Sequence, residues 1–254
     1  MSYHIAILGA SKGIANHVLH NLLSSSPPVT ITLLLRKPAA LDGDKLVAEA
    51  IKNGRVKIVK GDATVQDDVE KALEGANAVL TSVGGTPSFT LRGFKIDNPT
   101  LCTDAALALL RVLERKPENQ RPRIIAVSSM GIGENHHKMP FLLRILYPWM
   151  LSGPHADKEG MEYLYLRASN IGGTPTPPPI NILSEANRDV SRVLPELILV
   201  RPALLTDGAE SGAVRAGEDV YTYRVSRADV GRWITDNCMP EKGEWVNRAP
   251  VLGY

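Results

Sequence analysis

Three short groups of residues in this chain have types and spacings suited to holding a phosphate-bearing ligand. Gly9 and Gly13 bracket a small polar turn, Ala10-Ser11-Lys12, between an apolar run ending at Leu8 and a helically spaced stretch opening at Ile14. Such a turn aims the first, unpaired N–H groups of a helix beyond the strand end, and with the helix dipole they attract a phosphate. Arg36-Lys37 follows a second, nearly uncharged run. A guanidinium there can grip a phosphate through paired charge-assisted hydrogen bonds, and the bland alternative is a solvated surface. Gly84-Gly85 closes a further apolar run, where bare backbone lets a ligand approach closely. Other reactive types point nowhere in particular. His136-His137 has no carboxylate or cysteine at ligand spacing, so no metal is expected. Cys102 and Cys238 lie far apart and read as two reduced, buried thiols.

Holding these groups requires strand ends facing helix starts, and the chain supplies them in alternation. Apolar, β-branched runs predict strands over residues 5–8, 29–35, 55–59, 77–83, 123–127 and 196–200, with a short last strand over 244–247. Helical spacing appears from Ile14 to Leu23 and over residues 44–52, 65–73 and 98–114. Ser226-Arg227-Ala228-Asp229 reads as a capping box opening a last helix with Val230, Trp233 and Ile234 inward. This order predicts an α/β fold with a doubly wound parallel sheet in strand order 3-2-1-4-5-6, ligand groups lying at the carboxyl strand ends. One domain over all 254 residues is expected, with a substrate-side insertion over about residues 133–195. Its later part, residues 169–193, is rich in glycine and proline and reads as an irregular substrate-side loop or an oligomer contact.

A net charge of +2 gives no case for nucleic acid or an anionic membrane. The longest apolar stretch, residues 139–151, is too short to span a bilayer and contains Arg144 and Pro148. No charged-then-apolar leader precedes the first strand, so a cytoplasmic protein is expected, monomeric or homodimeric. The outer side of helix 98–114 is partly apolar and is a candidate dimer surface, with core packing the favoured alternative.

The pattern Gly9-x-x-x-Gly13-x-Ala15 resembles the cofactor turn of the short-chain dehydrogenase/reductase superfamily, with Ala15 in the third glycine's place. Similar resemblances recur in order. They are Gly61-Asp62-Ala63-Thr64 after the third strand, Gly84-Gly85 after the fourth, Ser128-Ser129 after the fifth and Arg201-Pro202-Ala203-Leu204-Leu205-Thr206-Asp207 after the sixth. The helix containing Asp157-Lys158-Glu159-Gly160-Met161-Glu162 resembles the atypical branch, which includes NmrA-like proteins and the biliverdin reductase B or flavin reductase-like group.

This resemblance implies NADP(H) binding. Gly9, Ser11, Lys12, Gly13 and Ile14 would meet the diphosphate, and Arg36 and Lys37 the 2′-phosphate in place of the acid usual for NAD(H). Asp62 and Ala63 would meet the adenine, although Asp62 or Thr64 can equally cap the next helix. Ser82, Val83, Gly84 and Gly85 would lie along ribose and diphosphate, and Pro202, Ala203 and Leu204 at the nicotinamide carboxamide. Arg201 either braces its strand end or touches ligand. Ser128 or Ser129 would orient a substrate carbonyl, and Lys158 would hold the nicotinamide ribose. The usual tyrosine four residues before that lysine is absent, because Pro154 stands there, and Tyr163-x-x-x-Arg167 reads as coincidence. Proton donation would fall to water, His155 or Tyr147. Phe141, Tyr147 and Trp149, with His155, would wall a site for a small apolar or aromatic substrate. The expectation is an NADPH-dependent oxidoreductase acting on an apolar carbonyl, quinone or conjugated acceptor. Alternatives are a non-catalytic NADP-binding sensor or a cofactor-independent isomerase or cyclase.

Overall fold

The structure, a computed structural model, describes residues 3–25, 29–85, 87–90, 93–132, 152–173, 175–239 and 241–254. The first half runs β1 (His4–Leu8), α1 (Ile14–Ser24), β2 (Thr30–Leu35), α2 (Lys45–Lys52), β3 (Val56–Lys60), α3 (Gln66–Ala72) and β4 (Ala78–Thr81). A small antiparallel pair, β5 (Pro87–Thr90) and β6 (Gly93–Ile96), precedes α4 (Leu101–Glu114), β7 (Arg123–Val127) and α5 (Ser152–Ala168). The last part contains β8 (Leu197–Pro202), β9 (Leu204–Thr206), β10 (Arg215–Gly217), β11 (Arg224–Ser226), α6 (Arg227–Asn237) and β12 (Val251–Gly253).

Eight strands form one sheet in the order β3-β2-β1-β4-β7-β8-β12-β10, in which only β10 runs antiparallel to its neighbour. The expected 3-2-1-4-5-6 order is present, with β7 and β8 as fifth and sixth strands. Successive side chains point to opposite faces, so a strand with helices on both sides must be apolar throughout. In β1, Ile5 and Ile7 join one apolar cluster, with α1, α2 and α6, while Ala6 and Leu8 join the other, with α3, α4 and α5. β7 and β8 divide in the same way, Ile125 with Ile198 on one face and Ile124 with Leu199 on the other.

Two glycines set how closely helices pair. A Cβ on Gly160 of α5 would lie 2.3 Å from Thr103 Oγ1 of α4, and one on Gly231 of α6 would lie 2.6 Å from His17 Cβ of α1. None of residues 101–114 is exposed, as the core packing of α4 requires. The described residues of 169–193 are irregular apart from the bridge of Ser169 to Leu194 and one short 3-10 turn, Glu185–Asn187.

The last strand differs from expectation. Residues 244–247 form a turn, because Asn247 adopts φ +56 while its side chain accepts from Leu197 N and donates to Pro195 O. Asn tolerates that left-handed conformation, and the apolar Val251–Gly253 segment takes the strand position instead. Among the described residues no helix is long and apolar enough to cross a membrane.

Candidate functional site

At the carboxyl end of β1 the chain turns at Gly9, whose φ is +94 and whose Cβ, were there one, would lie 2.7 Å from the Ser82 carbonyl oxygen. A side chain is excluded there on both counts. Gly13 (φ +69) is the N-cap of α1, which has no side-chain cap and no acidic residue in its first turn. Ala15 is fully buried and fits where the resemblance has a third glycine. Ser11 and Lys12 are exposed on the turn, and Ile14 is buried beneath it. Arg36 and Lys37 are both exposed just past β2. Past β4, Ser82, Val83 and Gly85 are half-buried, whereas Gly84 is exposed with nothing within 4 Å of an added Cβ.

Asp62 builds its own turn past β3, its Oδ1 accepting from Thr64 N (3.0 Å) and Thr64 Oγ1 (2.9 Å). Neither residue caps α3, whose N-cap Val65 has no side-chain bond. Ala63 is half-buried beside them.

The other wall is organised by one face of α5. Lys158 Nζ donates to Val127 O (2.8 Å) and Val83 O (3.3 Å), bridging the ends of β7 and β4. Beside Val127, the Ser128 hydroxyl is buried and has no hydrogen-bond partner among the described residues. Ser129 is less buried, with its hydroxyl 3.4 Å from Met130 O. His155 lies half-buried one turn before Lys158. Phe141, Tyr147 and Trp149, with His136 and His137, lie outside the described residues.

Two acidic residues on α5 have roles that the sequence reading did not assign. Fully buried Asp157 accepts from Cys102 N and Thr103 N (both 2.8 Å), capping α4 from another helix where the side chain of its own N-cap, Thr100, makes no capping bond and instead donates to Asp104. Glu162 takes the Arg201 guanidinium at two points, 3.0 and 2.6 Å, so Arg201 braces β8 against α5. Their signal in sequence is the charged run around Met161, which gives no partner without the fold. Burial pushes the Cys102 thiol up to about 12, against the opposing effect of nearby Lys158, so it stays protonated and unreactive.

Past β8, Pro202 and Ala203 are buried and Leu204 is exposed. The Ala203 and Leu204 amides already donate to Leu252 O and Tyr223 O, and the Pro202 carbonyl accepts from Met130 N. Gly172, Gly173 and the run from Pro175 to Pro179 line a cleft of about 590 Å³ together with Tyr163, Leu166 and Arg201.

A nicotinamide dinucleotide fits this crevice. The uncapped start of α1 and the open backbone at Gly13 and Gly84 leave room and donors for a diphosphate, and Ser128 keeps a buried hydroxyl without a partner among the described residues. Fold and crevice together define an NAD(P)-binding Rossmann protein. Residues 9–174 match the NAD(P)H-binding family, and the chain belongs to it.

The chain is 28% identical to Reductase pytE of Aspergillus terreus over 276 residues, covering 98% of this chain and 97% of that protein. It is also 28% identical to Oxidase pynE of Aspergillus niger over 286 residues, with the same coverage. Among solved structures, a short-chain dehydrogenase/reductase from Veillonella parvula in complex with NADP superposes with a TM-score of 0.64 at 18% identity, covering 100% of this chain and 95% of that one. Family membership and relatives named reductase and oxidase support an NAD(P)-dependent oxidoreductase.

Proposed function

We propose that the protein is an NADPH-dependent reductase acting on an apolar carbonyl, quinone or other conjugated acceptor. The observation that carries this reading is the buried, unpartnered Ser128 hydroxyl beside the lysine that bridges β4 and β7. A buried donor without a partner is costly to a fold, and a substrate oxygen would satisfy it. The exposed Arg36-Lys37 pair favours NADPH over NADH, and the Veillonella parvula relative's structure holds NADP.

NADPH, when bound, would supply a hydride to the acceptor, whose oxygen would take up a proton. Ser128 donates a hydrogen bond to that oxygen and fixes the acceptor's orientation. Lys158, held by two strand-end carbonyls, places a fixed positive charge where the oxygen gains negative charge. Its third N–H, 3.9 Å from the Met161 sulfur, would turn to the nicotinamide ribose. The proton comes from water, His155 or Tyr147.

The test is NADPH oxidation with a panel of quinones, enones and aryl aldehydes, run on the parent, Ser128→Ala and Lys158→Ala. Turnover that falls about 100-fold or more in Ser128→Ala, with NADPH still bound, is the expected result. Tight NADPH binding without turnover on any acceptor would overturn the reading in favour of the non-catalytic sensor, which the absent tyrosine also favours.

A further inference from the structure

Arg227, the first residue of α6, lies beside the glycine turn at the start of α1. A Cβ built on Gly13 would have one neighbour within 4 Å, the Arg227 Cδ at 4.0 Å. Rigid packing puts it there, since α6 meets α1 so closely at Gly231 that any side chain would strike His17. The helix start is equally fixed: Ser226 Oγ accepts from Asp229 N at 2.9 Å, and Ser226 N donates to Tyr254 Oη at 2.9 Å.

Arg227 has an ion-pair partner, but a weakly held one. Its Nη1 lies 2.6 Å from Asp207 Oδ1, and the Asp207 side chain is 88% exposed against 32% for Arg227. An ion pair so open to water is readily exchanged for a better anion. Next to it, the first turn of α1 offers backbone N–H donors and no acidic residue. A fixed cation, a helix start and an open glycine turn face the same space, a combination that suits two linked phosphates.

We infer that Arg227 binds the diphosphate of the dinucleotide, and that Asp207 holds its guanidinium until the diphosphate takes that place. The inference rests on the NAD(P)H reading and extends it to a residue that the sequence places only between the two capping residues Ser226 and Asp229. It separates two phosphate contacts within one crevice. Arg36 would act on the 2′-phosphate that only NADPH carries, and Arg227 on the diphosphate that NADPH and NADH share.

Parallel fluorescence titrations with NADPH and NADH test this on the parent, Arg227→Gln, Asp207→Asn and Arg36→Asp. Arg227→Gln is expected to weaken both nucleotides by the same factor, about 10- to 100-fold, whereas Arg36→Asp weakens NADPH alone. Asp207→Asn removes the competing carboxylate and is expected to tighten both by about two- to fivefold. It disturbs no helix, so it reports even where Arg227→Gln unfolds. A parent that binds neither nucleotide overturns the NAD(P)H reading itself. A parent that binds, with Arg227→Gln and Asp207→Asn both titrating like it, overturns the role of Arg227 and leaves that reading standing.

Discussion

Around the glycine turn, α1 begins at Gly13 without a side-chain cap, and Arg36 and Lys37 face solvent past β2. Across the crevice, under α5, polar groups are paired with one another: Asp157 with the α4 amides, Lys158 with two carbonyls and Glu162 with Arg201. The first region is exposed and its donors are open, as a binding surface for an anion requires. The second is buried, where an unpaired charge costs several kcal/mol, so its groups must satisfy each other to hold the wall in place. Ser128 is the informative exception on that wall, a buried hydroxyl that has no partner among the described residues where its neighbours are paired.

Breaking the paired wall should therefore have the largest effect on stability. Glu162→Ala leaves the Arg201 guanidinium buried without its carboxylate and is expected to cost about 3–5 kcal/mol, read as a lower urea midpoint. Should the midpoint stay put, the pair would be an ornament of the fold rather than its brace.

Gly9 and Gly84 sharpen the contrast within the binding region. Gly9→Ala places a methyl group against the Ser82 carbonyl at positive φ and is expected to cost about 1–3 kcal/mol. Gly84→Ala meets nothing within 4 Å, so its stability should stay within about 0.5 kcal/mol of the parent while its NADPH affinity falls. Denaturation and titration on the two variants separate a glycine that the fold needs from one that the ligand needs.

Asp229 belongs with the paired groups although it lies on α6. Burial raises its pKa, but hydrogen bonds from Tyr254 Oη, the Gly212 and Ser211 amides and Ser226 Oγ outweigh this and bring it down to about 2. A depressed carboxylate stabilises the fold above its unfolded value near 3.8 and loses that contribution as pH falls through about 2. The contribution is about 2 kcal/mol. Urea midpoints measured from pH 5 to pH 2 should fall more steeply in the parent than in Asp229→Asn, and parallel curves would remove Asp229 from the acid limb.

The same division explains what the sequence discloses. A glycine turn, a cation pair after a strand and a capping box are local, with each residue's partners inside a few positions or in the ligand, so spacing exposes them. Ser226 and Asp229 were legible for that reason. Asp157 and Glu162 were not, because their partners, Cys102, Thr103 and Arg201, stand 39 to 55 positions away and meet them only once α4, α5 and β8 are assembled. The last strand was misplaced by the same limit. Residues 244–247 have apolar content, but Asn247 is drawn into a turn by distant backbone groups at Pro195 and Leu197.

The smallest change in stability should come from the most consequential residue for the ligand. Arg36 is exposed and makes no ion pair among the described residues, so Arg36→Asp has nothing in the folded chain to lose. Its urea midpoint should match the parent's within about 0.5 kcal/mol. In NADPH titration the same change replaces an attracting charge with a repelling one at the 2′-phosphate, and affinity should drop about 10-fold or more while NADH is spared. A residue that is neutral to the fold and decisive for one nucleotide belongs to the binding surface alone. If Arg36→Asp instead lowered stability or weakened both nucleotides alike, Arg36 would belong with the paired wall, and the division of the crevice into an open and a closed side would fail at its clearest point.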